Sequence, residues 1–115
     1  MTTDAYVPER GDLVMLDFNP QSGHEQFGRR PAIVLSPRSY NSAAGLAVVC
    51  PVTNQQKGYP FEVPLGDRGP VTGVVLADQI KSIDWRARRI AKAAHASKPV
   101  QQTVIRHVGQ LLAGR

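Results

Sequence analysis

Short apolar runs, separated by polar segments rich in proline and glycine, divide the first eighty residues of the chain. Runs of about four to eight residues with many β-branched members are typical of strands. Because proline cannot donate a backbone hydrogen bond, a proline beside such a run marks its end. The pattern predicts strands at residues 13–18, 31–36, 46–52, 61–65 and 74–80, with polar connections between them, including residues 37–45.

The C-terminal segment has the pattern of an amphipathic helix. Ser97 suits the N-cap, Pro99 suits the first turn, and Gly114 marks the end. Short strands followed by one such helix predict a mainly β fold with α, a small antiparallel barrel capped by the helix, in a single domain over residues 1–115. The apolar face of the helix carries Val100, Val104, Ile105, Val108, Leu111 and Leu112.

Residues 86–96 allow two interpretations. Their alanines and arginines favour a helix, in which Ala87, Ile90, Ala91 and Ala94 would share one face. A strand over residues 89–95 is the competing interpretation, and the local pattern does not decide between them.

The net charge of +5 is concentrated in one segment. Residues 81–98 contain six lysines and arginines and one aspartate, so the remainder of the chain is neutral overall. A local excess of this kind favours a polyanionic partner, either a nucleic acid or an acidic protein. A solvated basic surface without a partner is the alternative.

The composition excludes several kinds of site. Cys50 is the single cysteine, so an internal disulfide framework and a thiolate metal cluster cannot form. No metal-ligand spacing joins His24, His95 or His107 to it, and no nucleotide-binding fingerprint is present, so we expect neither metal nor cofactor. No apolar run reaches the roughly 20 residues that cross a bilayer, and the N-terminus lacks a secretion signal. We therefore expect a cytoplasmic protein without membrane contact.

Two polar loops hold the residues with chemical potential. Residues 19–31 contain Glu25 and Arg30, and residues 53–60 contain Thr53 and Lys57. Arginine can grip a phosphate through two hydrogen bonds, and a threonine hydroxyl can donate another. RNA supplies its own nucleophile, the 2′-OH, so a site that positions and stabilises the phosphate could cleave RNA without a metal. A surface ion pair between Arg30 and Glu25 remains the alternative.

Several motifs, in the same order, resemble the MazF/PemK family of toxin endoribonucleases. They are the Gly-Asp strand at residues 10–20, Gly-Arg-Arg-Pro and the strand after it at residues 28–36, and Val-Cys-Pro-Val-Thr at residues 49–53. The similarity continues through residues 57–63 and 76–88, and covers roughly residues 6–88.

The resemblance implies an SH3-like barrel of the CcdB/MazF type that acts as a homodimer and has a strand near residues 89–95. It implies sequence-specific cleavage of single-stranded RNA by the 2′-OH, independent of metal and ribosomes, leaving a 2′,3′-cyclic phosphate and a 5′-hydroxyl. An acidic antitoxin of the MazE type would inhibit it. The rival on this fold is a CcdB-like, non-enzymatic poison of DNA gyrase, which acts through a tryptophan near the end of its last helix. The only tryptophan here is Trp85.

Specific roles also follow from the resemblance. The family's catalytic arginine falls on Arg30 and its catalytic threonine on Thr53. Glu25 falls on the loop glutamate and is the candidate base for the 2′-OH. Further candidates for RNA binding, each with a structural or surface role as the alternative, are Arg29, Lys57, Gln79 and Arg86.

Overall fold

The computed structural model describes residues 6–18, 28–66 and 69–114. Its strands are β1 (Asp12–Phe18), β2 (Gly28–Val34), β3 (Leu46–Thr53), β4 (Glu62–Pro64), β5 (Val74–Leu76), β6 (Lys81–Asp84) and β7 (Ala91–His95). Its helices are α1 (Arg38–Ala44) and α2 (Lys98–Ala113). The strands pair antiparallel in the order β4-β5-β3-β2-β1-β7, with β6 also paired to β3. The predicted mainly β, barrel-like fold is confirmed, although the described strands do not close into a complete ring.

Alternation along β1, β2 and β3 sends side chains into two apolar cores, one on each face of the sheet. On one face Leu13, Ile33 and Cys50 pack beneath α2, which contributes Val104 and Val108. The other face holds a second group, here called the Trp85 core. It consists of Val14, Leu16, Phe18, Ala32, Val34, Ala47, Val49, Ile83 and Trp85.

Two strands share one edge of β3 in succession. β6 pairs with residues 46–49, β5 pairs with Val52 and Thr53, and β2 follows the opposite edge. The pairs Val52–Val75 and Val49–Lys81 are three residues apart along β3 but six residues apart along the segment that runs from β5 to β6. The three additional residues make segment 77–80 bulge away from β3.

Several predicted boundaries and one predicted connection are wrong. Residues 38–44 form α1, not a polar connection, and buried Asn41 anchors this helix by donating to the carbonyls of Pro8 and Ser36. The sequence pattern gave no sign of β6, whose single buried apolar residue, Ile83, pairs with Ala47. β2 begins at Gly28 instead of residue 31, and the strand predicted over residues 74–80 ends at residue 76.

The ambiguous segment 86–96 contains a strand. Residues 85–89 turn, with Arg89 in the left-handed region at φ 53, and β7 then pairs with β1. The strand interpretation is therefore confirmed, with a start at Ala91. Pairing with a distant strand outweighs the local helix propensity of alanine.

The caps of α2 are those that the sequence predicts. The Ser97 hydroxyl accepts a hydrogen bond from the Val100 N–H, and Gly114 ends the helix at φ +74. The predicted apolar face is buried only in part, because Val104 is buried whereas Leu112 is 72% exposed. Within the described residues, neither helix has the length and hydropathy needed to span a membrane.

A buried carboxylate, Asp12, joins the start of β1 to β7. It is 2% exposed, and it accepts hydrogen bonds from the Tyr6 hydroxyl and, at 3.1 Å, from the Glu9 N–H. Nδ1 of His95 lies 2.9 Å from the carboxylate and Nζ of Lys92 lies 3.5 Å away. Burial by itself raises the pKa of the Asp12 carboxyl, but the hydrogen bonds from Tyr6 and His95 outweigh burial and hold this pKa below its usual range. These five residues are here called the Asp12 network.

Candidate active site

A cleft of about 600 Å³ opens where segment 77–80 bulges away from β3. Thr53, Lys57 and Gln79 all line it, so the structure brings together three of the residues predicted from the sequence. The full lining consists of Thr53, Gln55, Lys57, Tyr59, Phe61, Glu62, Leu76, Asp78, Gln79, Ile80 and Lys81.

Thr53 is the last residue of β3, and its hydroxyl has a fixed position. The Oγ1 atom accepts a hydrogen bond from the Gln55 N–H at 3.0 Å, and the residue is 6% exposed. A hydroxyl has one proton to donate and two lone pairs. Because the Gln55 N–H occupies a lone pair, the Thr53 proton remains available as a donor. This is the arrangement needed to hold a phosphate oxygen.

Gly73 lets β5 approach the Thr53 backbone closely. A Cβ atom at Gly73 would lie 2.3 Å from the Thr53 carbonyl oxygen, and the residue has φ +107. Both observations exclude a larger residue without a backbone shift. Beside it, the Thr72 hydroxyl donates to the Asn54 side chain at 3.2 Å. The start of β5 therefore braces the end of β3 where Thr53 stands.

Arg30 lies in β2, not in the polar loop predicted over residues 19–31, and it pairs with Leu16 of β1. Arg30 and Thr53 each lie two residues beyond Ala32–Pro51, the last pair between β2 and β3. Because side chains alternate along a strand, both lie on the face of the sheet that carries that pair. Arg30 does not itself line the cleft, and it is half-buried.

Lys81 is a further cation of the site, and it is not among the site residues predicted from the sequence. It pairs with Val49 across β3, so it shares the face of the Trp85 core with Arg30 and Thr53. Its Nζ lies 5.6 Å from the centre of the Phe18 ring, within the range of a cation–π contact. The polar end of this face therefore holds two cations and a hydroxyl. The missing signal was the register of β6, a strand that the pattern does not reveal.

Loop 54–60 follows Thr53 and leads to β4. The Glu62 carboxylate accepts hydrogen bonds from the N–H groups of Lys57 and Gly58. Lys57 and Tyr59 both have exposed side chains, and Tyr59 is 59% exposed. A glutamate at the base of this loop thus organises backbone that carries a cation and an aromatic ring.

The remaining predicted residues lie in different places. Arg29 is exposed and forms an ion pair with Asp17 at 3.1 Å. Arg86 donates to the Ser42 carbonyl at 3.2 Å, stacks on Trp85 and does not line the cleft. Glu25 lies outside the described residues.

The basic segment 81–98 does not form a single patch. Lys81 contributes to the cleft, Arg88 donates to the Asp17 carbonyl at 3.1 Å, and Lys92 lies beside Asp12. The charge excess that is local in sequence is therefore spread over several parts of the surface.

Cys50 is buried beside the cleft, and its Sγ lies 3.9 Å from the Ala77 carbonyl oxygen. Burial, and the charge of Asp78, raise the pKa of its thiol to about 12. The group is therefore protonated at neutral pH and does not serve as a nucleophile.

Residues 9–112 match the family described as PemK-like, MazF-like toxin of type II toxin–antitoxin systems. The chain belongs to this family. It is 55% identical to the Endoribonuclease toxin MazF of Escherichia coli K12 over 87 residues, which are 76% of this chain and 78% of the relative.

Solved structures agree with this assignment. A crystal structure of MazF from Deinococcus radiodurans matches with a TM-score of 0.91 and 54% identity, covering 95% of this chain and 99% of that one. MazF in a MazE–MazF complex from the same organism matches with a TM-score of 0.84 and 49% identity, covering 94% and 97% of the two chains.

Proposed function

We propose that this chain is a sequence-specific endoribonuclease toxin that cleaves single-stranded RNA without metal or ribosome. The observation that carries the proposal is the cleft that Thr53 lines together with Lys57 and Lys81, next to β2, the strand that holds Arg30. Relatives such as the E. coli protein bear the name endoribonuclease, which supports this activity.

In the proposed reaction the 2′-oxygen of RNA forms a bond to the adjacent phosphorus while the bond from phosphorus to the 5′-oxygen breaks. The products are a 2′,3′-cyclic phosphate and a 5′-hydroxyl. The 2′-OH loses one proton and the leaving 5′-oxygen gains one, so the step is balanced without an added reactant.

Each residue has a distinct part in this proposal. The Arg30 guanidinium grips the scissile phosphate and offsets the negative charge that builds up on its oxygens. The Thr53 hydroxyl, held by the Gln55 N–H, donates to one of those oxygens. Glu25 is proposed as the base that takes the 2′-OH proton. Lys57 and Gln79 contact the RNA from the cleft, while Arg29 contacts its backbone after leaving Asp17.

The regulation and assembly proposed here are those of the family. An acidic antitoxin of the MazE type covers the cleft and so excludes RNA, and the MazE–MazF complex of the Deinococcus relative supports such a partner. The chain acts as one domain over residues 1–115 in a cytoplasmic homodimer, where transcripts are accessible.

The gyrase-poison alternative has no observation in its favour. Trp85 is 5% exposed, and its indole N–H donates to the Asn41 carbonyl at 3.0 Å. The Trp85 side chain is therefore buried in the core, where it cannot contact a partner protein.

The test is cleavage of a mixed-sequence single-stranded RNA by the purified protein in EDTA, with the new 5′ ends sequenced. We expect cutting within one short motif. Arg30→Ala should reduce the rate by roughly 10²–10³-fold, the cost of losing a donor to a developing oxyanion. Arg106→Ala, an exposed arginine on α2, is the matched control. Undiminished cleavage by Arg30→Ala, or ragged cutting at every site, would defeat the proposal.

A further inference from the structure

We propose that Glu62 is a positioning residue that holds loop 54–60 in the shape that binds RNA. The inference rests on the proposed endoribonuclease function and adds to it a residue that acts through the loop backbone, without touching the reacting atoms.

The carboxylate of Glu62 grips two successive backbone N–H groups. Its Oε1 lies 2.9 Å from the Gly58 nitrogen, and its Oε2 lies 3.0 Å from the Lys57 nitrogen. In return, the Glu62 N–H donates to the Tyr59 carbonyl at 3.1 Å. The loop is thus closed from both sides by one residue at the start of β4, a strand that pairs with β5.

The loop needs such a restraint. Its side chains are exposed from Asn54 to Pro60, and apolar packing therefore gives it little support. Gly58 has φ +78. Because glycine adopts positive and negative φ about equally readily, its own sterics do not fix this conformation. Charge-assisted hydrogen bonds to a carboxylate are about twice as strong as neutral ones, so the bonds to Glu62 are a strong local restraint on Lys57 and Gly58.

What the loop carries makes its shape matter for RNA. Lys57 provides a cation for the phosphate backbone, and the exposed ring of Tyr59 offers a face on which a nucleobase can stack. With the loop ordered beforehand, RNA does not have to order it on binding. Thr53 stands on β3 itself, so loosening the loop should weaken substrate binding more than the chemical step.

Electrostatics alone predicts the opposite change in RNA binding when Glu62 is replaced, so an experiment can distinguish the two explanations. Glu62 places a negative charge in a cleft that is to hold a polyanion, so removing that charge should tighten RNA binding. The proposed role requires that removal should weaken it. The sign of the change in KM therefore separates a positioning carboxylate from a mere charge.

The experiment compares Glu62→Ala and Glu62→Gln with the unaltered protein in steady-state cleavage of an RNA that contains the sequenced motif. We expect KM to rise roughly tenfold for Glu62→Ala with kcat changed less than about threefold. Glu62→Gln keeps one acceptor oxygen and loses the other, so its KM should lie between that of the unaltered protein and that of Glu62→Ala. Glu9→Gln removes the same charge from an exposed residue outside the cleft and should leave KM unchanged.

Amide hydrogen exchange of the RNA-free protein provides the second measurement. The N–H groups of Lys57 and Gly58 should exchange about tenfold faster in Glu62→Ala, while those of β3 keep their protection. Unchanged exchange, a fall in KM, or a loss confined to kcat would overturn the proposal. If the unaltered protein cuts no RNA, the endoribonuclease assignment fails, and exchange still decides whether Glu62 orders the loop.

Discussion

The two ends of β1 differ in the burial and hydrogen bonding of the polar groups that surround them. At the start of the strand, Asp12 is buried, and hydroxyl, amide and imidazole groups surround its carboxylate. At its other end, Phe18 contacts Lys81, which lines the open cleft. Two further polar side chains line this cleft: Lys57 is exposed and Gln79 is half-buried. β1 has seven residues, so about 20 Å separate these regions.

The difference separates buried polar groups that stabilise the fold from exposed polar groups that we propose bind RNA. A buried carboxylate is tolerated only when its hydrogen bonds are made, so the Asp12 network links β1 to β7 and to the N-terminal segment. In the cleft, Lys57 is exposed and Lys81 is half-buried, at the site where we propose that RNA binds. Stability and activity should therefore respond to different substitutions.

The largest effect should come from the cleft. Thr53→Val keeps the shape of the side chain but removes the hydroxyl that holds the phosphate, so we expect cleavage to fall by roughly 10²-fold or more. Losing the bond from the Gln55 N–H should cost only about 1 kcal/mol of stability. Cleavage rate and urea midpoint measure the two effects. Thr72→Val removes a neighbouring hydroxyl that does not line the cleft, and a comparable loss of cleavage there would erase the contrast.

The reverse pattern should follow from Asp12→Asn. The amide cannot accept all the hydrogen bonds of the carboxylate and leaves buried donors unsatisfied, so the free energy of unfolding should fall by about 3 kcal/mol. Cleavage per folded molecule should stay within about twofold. Asp17→Asn, on the same strand but with a carboxylate that is 34% exposed, should cost less than about 1 kcal/mol. Equal losses in the two variants would show that burial does not set the cost.

At acid pH, the difference in the free energy of unfolding between the unaltered protein and Asp12→Asn should become smaller. The pKa of Asp12 is lower in the folded state than its usual value, so its contribution to stability is present above about pH 3.9 and is lost as pH falls through the folded pKa. Urea midpoints measured from pH 7 down to pH 3 should converge only below about pH 4. A constant difference across this range would contradict the network's electrostatic role.

The smallest effect should be that of one cleft cation. Lys57→Ala should weaken binding of an RNA with a 2′-deoxy group at the cut site by roughly fivefold and reduce the salt slope of log K by about 0.7. Fluorescence anisotropy at several salt concentrations measures both. Lys98→Ala removes an exposed lysine at the start of α2 and should leave the slope unchanged. An equal change in both variants would mean that overall charge, not the cleft, guides RNA.

The residues of the cleft were easier to predict from the sequence than the way in which they meet. Thr53 and Lys57 could be found because a strand that ends in a polar loop leaves a local pattern. Arg30, which does not line the cleft, was predicted to lie in a loop, because Arg29 and Pro31 interrupt the apolar pattern at the beginning of β2.

Register, by contrast, has no local signal. Lys81 belongs to the cleft only because β6 pairs with β3 through Ile83, a strand too short and too polar to be recognised. Asp12 looks like an ordinary surface carboxylate beside Gly11, and its partners His95 and Lys92 come from a strand some eighty residues away. α1 was missed because Ser39 and Asn41 suit a loop as well as a helix.

The bulge at residues 77–80 also bears on how such a protein can diversify. The segment lines the cleft but belongs neither to β5 nor to β6, so residues could be added or removed there while both pairings with β3 stay in place. A change of length confined to this segment would alter the width of the cleft while Thr53 keeps its place at the end of β3. Under the proposed function, such a change would alter which nucleotides the cleft accepts without altering the residues proposed to act on the phosphate.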